Sequence, residues 1–360
     1  MKQIHMIIDL QYGSTGKGLL AGYLAMKLKP DTVCTAWAAN AGHTFIDANG
    51  RKFVHTMLAN GVVSPNLRRV MIGAGSIIDP DSLQREYEEC RDLLQLVKIA
   101  IHPHAAIISQ QHRDFESGPM TKIGSTKKGV GEAAIQRIRR DPENMNVAKS
   151  SSHPFIQQHV VSAEKYQSLL DEASVIVVEG AQGYSLSMYH GQYPYTTSRD
   201  VTTAQLLADC CIPHNFGALT VYGTIRTYPI RVANRYDDQG NMVGYSGPCY
   251  DDQEEISWDK LGIKPELTTV TKLPRRIFTF SRIQYQEAVR MCGVDVVFLN
   301  FANYLSNKHV VYSFVDTLQR IAPAKVKFVG IGPAVDDIID LDELLPQLSN
   351  FKTSLGVQNG

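Results

Sequence analysis

The stretch MKQIHMIIDLQYGSTGKGLLAGYLAMKLKP constrains the fold more than any other part of the chain. An apolar run from Ile4 to Leu10 stops at Gln11-Tyr12. Gly13-Ser14-Thr15-Gly16-Lys17-Gly18 follows, and apolar residues then recur at helical spacing from Leu19 to Leu28. The order is strand, glycine-rich turn, helix. Glycines let backbone approach an oxyanion closely, and the helix start adds unpaired N–H groups and a positive dipole end. Lys17 adds a charged donor. The spacing is not that of a Walker A loop, because only two residues separate Gly13 from Gly16-Lys17 and Gly18 stands where a hydroxyl would hold magnesium. A phosphate or oxyanion site is the expectation here. An ordinary strand-to-helix turn with a surface lysine is the plain alternative.

The rest of the chain repeats this pattern. Segments 31–38, 70–72, 97–101, 175–178, 218–228, 294–300 and 326–329 read as strands, and several close on glycine loops: Asn40-Ala41-Gly42-His43-Thr44, Gly73-Ala74-Gly75, Glu179-Gly180-Ala181-Gln182-Gly183 and Gly330-Ile331-Gly332-Pro333. Helices are expected over 79–96, with Asp79 as cap, over 132–140, over 163–170, and from Ser281 onward. Asn49-Gly50 between the apolar arms of 45–54 predicts a hairpin with a two-residue turn. Residues 117–131, SGPMTKIGSTKKGVG, form a basic stretch too long for a tight turn, a length that usually marks function or disorder. Strands alternating with helices predict an α/β fold: a mostly parallel central sheet with helices on both faces, ligands gathering at its carboxyl edge. With no internal repeat, low-complexity tract or clear linker, residues 1–360 are expected to form a single domain.

Composition narrows the partners. Lys plus Arg equals Asp plus Glu, 36 each, so any anion site must be local, and neither nucleic acid nor a membrane is an expected partner. Six cysteines without CxxC pairing predict buried free thiols, no stretch reaches eighteen apolar residues, and no signal peptide is visible. A cytosolic protein is expected.

Taken together, these loops resemble the adenylosuccinate synthetase family. Gln11 to Gly18 matches its phosphate loop, and Asn40 to Thr44 its second signature. Ile123-Gly124-Ser125-Thr126 with Gly129-Val130-Gly131 matches its monophosphate loop. Glu179 to Gly183, His190-Gly191, Tyr193-Pro194-Tyr195 and Gly330 to Pro333 follow in the family's order. The resemblance implies the family's P-loop-like fold. It also implies a two-step reaction: a nucleoside triphosphate phosphorylates the 6-oxygen of a purine monophosphate, and aspartate's amine then displaces the phosphate. Phosphate is the better leaving group, so one site must gather three anionic ligands.

What the family's residues do carries over position by position. His43 would serve as acid and donor to the γ-phosphoryl group; outside the motif a histidine after glycine is more often structural. Lys17 would stabilise the moving phosphoryl, and Gln182 would hydrogen-bond the purine 6-position. Asn40, Ser125, Thr126, Thr197, Val232 and Arg140 would hold the purine monophosphate, Arg140 from the neighbouring subunit of a homodimer. On its own Arg140 reads equally well as part of a solvated basic helix face. Thr271 and Arg275 would grip L-aspartate, though such a run is commonly an exposed turn. Gly13, Thr15, Gly16, Lys17, Gly18, Thr44, Asn300, Asn303, Gly330, Gly332 and Pro333 would bind the donor nucleotide. Mg2+ would be the cofactor, with Ser14 and the Gly42 carbonyl as its protein ligands.

Three departures matter more than these matches. Ser14 stands where the family has the aspartate that takes the purine N1 proton and ligates magnesium, and a hydroxyl is a poor base near pH 7. Its smaller, neutral side chain leaves room for a purine 2-amino group, whose hydrogen bond the hydroxyl can accept. Leu273 replaces an arginine near the ribose and suits a sugar lacking the 2′-hydroxyl. Asn300-Phe301-Ala302-Asn303 lacks the carboxylate that selects guanine in the donor, which makes ATP or dATP the expected donor. All three fit the dGMP-specific phage branch of the family, so Ser14, Lys17, His43 and Gln182 form the expected catalytic set for joining aspartate to dGMP in the host cytoplasm. An ordinary IMP- and GTP-using synthetase is the nearest alternative, and a nucleotide-binding regulator without catalysis is the alternative from another class.

Overall fold

The computed structural model describes residues 1–116, 128–268 and 272–343. At its centre is a nine-stranded sheet. In chain order its strands are β1 (Gln3–Asp9), β2 (Thr32–Thr35), β3 (Arg69–Ile72), β4 (Lys98–Ile101), β5 (Val175–Glu179), β6 (Ala218–Arg226), β7 (Val296–Asn300), β8 (Lys325–Gly330) and β9 (Ile338–Asp340). In space they run β9-β8-β7-β6-β1-β5-β2-β3-β4. Every neighbouring pair is parallel except β8 with β9.

Both faces of the sheet are apolar, as covered parallel sheets require. In β1, Ile4, Met6 and Ile8 face one side and Ile7 the other; in β5, Ile176 and Val178 oppose Val177. The strands leave β1 in opposite directions: β2 to β4 build one half of the sheet, while β6 to β9 build the other. This reversal beside β1 opens the crevice in which such sheets hold ligands. The loops after β1, β2, β5, β6, β7 and β8 all emerge at that carboxyl edge.

The helix Lys17–Leu28, here α1, buries Leu19, Leu20 and Leu24 against the sheet. A hairpin of His43–Ile46 and Lys52–His55 lies on its other side, with Phe45 over Gly22. The expected hairpin is present, but its turn is wider than two residues. Asp47 accepts the N–H groups of Asn49 at 2.9 Å and Arg51 at 2.8 Å, so one side chain organises the segment 47–51. The helix expected over 79–96 is two pieces, Pro80–Glu89 and Arg91–Leu94, with Asp79 capping the first through Ser82. The helix Lys308–Ile321, capped by Asn307, and the antiparallel edge strand β9 are among the elements the sequence pattern does not predict, as are the short helices Gln110–Glu116 and Pro154–His159. All six cysteines are free, and no described helix is long and apolar enough to cross a membrane.

Candidate active site

β1 ends on Asp9, a fully buried carboxylate. Its oxygens accept from the Gln11 N–H at 2.9 Å, the Gly13 N–H at 3.3 Å, the Thr15 hydroxyl and the Lys17 ammonium at 2.9 Å. Four donors occupy a carboxylate's usual capacity, so Asp9 holds the loop closed. Gly16 adopts φ 93° and leaves no space for a side chain, because the Asn300 amide fills it. A Cβ at Gly18 would sit 2.9 Å from the Thr44 carbonyl oxygen, so α1 begins against the backbone beside His43. Ser14, exposed at the loop tip with φ 57°, holds the left-handed conformation while Arg226 donates to its carbonyl at 3.1 Å.

His43 is buried with its Nδ1 2.8 Å from Glu179 Oε1. Glu179 ends β5, is itself fully buried, and also accepts the Asn60 N–H at 2.7 Å and side-chain amide at 3.2 Å. Trp37 packs its ring 4.2 Å from the imidazole and donates to the Glu179 carbonyl at 2.6 Å. A carboxylate on Nδ1 selects the tautomer protonated there and leaves Nε2 for a ligand. Burial holds the imidazole below its usual range, outweighing the opposing pull of Glu179. His43 is therefore neutral before ligands arrive, and an approaching phosphoryl anion favours its protonation.

The same burial recurs elsewhere. His5, His43, His55, His102 and His159 are all held below the ordinary imidazole range, chiefly by desolvation, His102 to about 4. Unfolding frees these rings to bind protons at their normal pKa of about 6.5. The unfolded chain thus binds more protons below that pH, and stability must fall as pH drops from about 6.5 towards 4. Thermal unfolding at pH 7.5 and 5.0 checks this; an equal or higher midpoint at pH 5.0 would contradict it.

Gln182, at φ 64°, donates to the Asn40 side chain at 2.9 Å, so the loops after β5 and β2 meet. Thr197 is half-buried, its N–H bonded to the Leu186 carbonyl at 2.7 Å. Arg275 is half-buried beside Glu266, whereas Val232, Leu273 and Asn303 are exposed. Asn300 stands among the residues expected to bind the donor nucleotide. It is buried, accepts the Phe301 N–H at 2.8 Å and donates to the Thr15 carbonyl at 3.2 Å, so its amide braces the phosphate loop. Gly330 packs on that amide, Gly332 lies against Asp337, and Pro333 is exposed. Arg140 is exposed at the end of the helix Val130–Arg139 and lines a cavity of about 510 Å3 with Ala74, His104, Arg137 and Asp209; no residue of the phosphate loop lines it. Ser125, Thr126 and Thr271 lie outside the described residues, as does most of the expected loop 117–131.

Four charged groups to which the sequence pattern gives no role prove central: the buried Asp9, Glu179 and Arg226, and the half-buried Glu266. The first three share a place, the last residue of a strand of the central sheet.

The adenylosuccinate synthetase family model matches residues 6–154 and 142–312. The chain belongs to that family. Membership makes it an enzyme, a ligase that forms a carbon–nitrogen bond. Within the family, it is 48% identical over 94% of its length to the N6-succino-2-amino-2′-deoxyadenylate synthase of Acinetobacter phage SH-Ab 15497, covering 93% of that protein. Against the adenylosuccinate synthetase of Pyrococcus horikoshii, identity is 28% over 93% of this chain and 97% of the other. Among solved structures, the cyanophage S-2L succinoaminodeoxyadenylate synthetase bound to dGMP and dATP superposes with a TM-score of 0.88 at 44% identity, covering 96% of this chain and 99% of that one. The Plasmodium falciparum adenylosuccinate synthetase shares the fold at a TM-score of 0.73 and 19% identity, over 93% and 99% of the two chains.

Proposed function

We propose that the chain joins L-aspartate to C6 of dGMP, with ATP or dATP as phosphate donor, giving 2-amino-2′-deoxyadenylosuccinate. The observation that carries this reading is Ser14: a small, neutral, exposed side chain at the tip of the phosphate loop, where the family has a carboxylate. The much greater identity to the phage synthase than to the archaeal enzyme supports it.

In the first step the guanine 6-oxygen attacks the γ-phosphorus and the nucleoside diphosphate leaves. Lys17, held in the loop by Asp9, and His43, oriented by Glu179, bear on the transferring group. Gln182, tied to Asn40, bonds the purine 6-position. In the second step the aspartate amine attacks C6 and displaces phosphate, with Arg275 holding the amino acid. Ser14 supplies no base for N1, and in this reading a water or a phosphoryl oxygen takes that proton; Asp9 and Glu179 have their oxygens hydrogen-bonded to loop donors, His43 and Asn60. Arg140, on a helix that exposes Ile135 and Ile138, serves the monophosphate of a partner subunit in this reading.

The described residues contain no cluster of three or more histidine, cysteine or carboxylate ligands. Neutral oxygens are what this loop offers, and they fit a magnesium ion that arrives on the triphosphate and keeps several waters. The Ser14 hydroxyl and the Gly42 carbonyl would hold it, and when bound it supplies neutralisation of phosphate charge.

Product formation from dGMP, IMP and dIMP with aspartate, each with ATP and with GTP, tests the reading. Turnover of dGMP with ATP is expected. Strong IMP turnover with none on dGMP would sink it.

A further inference from the structure

Arg226 closes β6 next to β1 and is fully buried. Gln11 clamps its backbone, accepting the N–H at 3.0 Å and donating to the carbonyl at 3.1 Å. The guanidinium lies 3.8 Å over the Phe301 ring. Nη1 donates to the Ser14 carbonyl at 3.1 Å and to Glu266 Oε2 at 3.3 Å, while Nη2 donates to Glu266 Oε1. Nε is buried with no partner. Glu266 also accepts the Tyr304 hydroxyl at 2.8 Å, and its carbonyl accepts the Arg275 N–H at 2.8 Å. One buried cation therefore joins three loops: the phosphate loop at Ser14, the aspartate loop at Arg275, and the segment after β7.

Two features make this junction more than filler. Ser14 sits at φ 57°, a conformation that a residue with a Cβ adopts only when its surroundings hold it there. The carbonyl gripped by Arg226 is the group that would swing if that backbone relaxed. Glu266 is the second feature, because two guanidiniums feel its charge. Burial works to raise its carboxyl, yet Arg226's charge and hydrogen bonds hold it below the usual carboxylate range. Arg275 is depressed by burial and by the like charge of Arg226, with Glu266 opposing both. An anionic substrate on Arg275 relieves Glu266 of one cation and leaves it to Arg226.

We propose that Arg226 and Glu266 are a positioning pair that sets the purine-side loop and the aspartate-side loop together, so that dGMP and aspartate each favour binding of the other. The inference rests on the function proposed above. It goes further by assigning the communication between two substrate sites to two residues that touch neither reacting atom.

Steady-state kinetics of the full-length chain tests it. In the wild type, the KM for dGMP should fall about fivefold or more as aspartate rises from well below its own KM to saturation, the lower end of ordinary coupling between sites. Glu266→Gln keeps the shape and removes the charge; this dependence should vanish, with the KM values for dGMP and aspartate each up about tenfold and that for ATP within twofold. Arg226→Lys should behave likewise, since one ammonium cannot span Ser14 and both Glu266 oxygens. Thermal unfolding of each variant reports folding, and if Arg226→Lys does not fold, Glu266→Gln decides. An unchanging KM for dGMP in the wild type, or an equal rise of all three KM values in Glu266→Gln, would overturn the proposal. Should the wild type not turn over dGMP, the functional reading fails instead, and the coupling is read on whichever purine monophosphate is used.

Discussion

His43→Asn is expected to lower kcat with dGMP, aspartate and ATP by about 10²–10⁴-fold, the range for removing a positioned acid or base. The KM for dGMP should move far less, because in the proposed reaction His43 acts on the phosphoryl group in transit. The fold should survive, since asparagine can still donate to Glu179 from within the Trp37 and Asn60 cage. Glu179→Gln offers a companion readout. It keeps an oxygen for the Asn60 N–H while removing the charge that selects the Nδ1-protonated tautomer, so kcat falls with little change in substrate affinity. Phosphate release under saturating substrates measures both. A loss below tenfold in His43→Asn would remove the histidine from the chemistry.

The second large effect belongs to Ser14→Asp. Aspartate accepts the left-handed backbone more readily than most residues, and the position is exposed, so the loop should keep its shape. The longer, charged side chain occupies the space of the purine 2-amino group and restores a base that is ionised at pH 7. Turnover of dGMP should fall by about 10–200-fold, the range over which a pocket discriminates through one added or missing group, while IMP turnover rises. The ratio of kcat/KM for the two purines is the measurement. A variant that keeps dGMP activity and gains none on IMP refutes the steric account of this position.

Much of this was legible in the residues alone, for reasons that differ by element. β1, β3 and β5 announce themselves because both faces of a parallel sheet are buried, which leaves uninterrupted apolar runs. Lys17, His43 and Gln182 stand on loops whose order along the chain is itself the signal. At 47–51 Asn49-Gly50 signals a two-residue turn, but the Asp47 carboxylate sets a wider loop. The helix Lys308–Ile321 carries a pattern of its own, with Val311, Phe314, Val315 and Leu318 at helical spacing behind the Asn307 cap. β9 is three residues long and has no period to detect. Asp9, Glu179, Arg226 and Glu266 escaped for a common reason. A charged side chain reads as solvated unless its partner is known, and partners such as Asn60 for Glu179, 119 residues away, and Ser14 for Arg226, 212 residues away, are not visible in the sequence. Asn300 is a polar side chain whose bonds to Thr15 and Phe301 brace the loop beneath it, contacts that no sequence pattern announces.

The crowding around the phosphate loop also bears on how such an enzyme could change its substrate over evolutionary time. Gly16 is blocked by Asn300 and Gly18 by the Thr44 backbone, while Thr15 and Lys17 are buried on Asp9. A change at any of these disturbs the packing that holds the phosphate loop in shape. Ser14 alone in this run combines an exposed side chain with a main chain anchored from below by Arg226. The side chain there can be replaced while the loop stays assembled, so substrate choice in the proposed reaction can change separately from the loop's architecture.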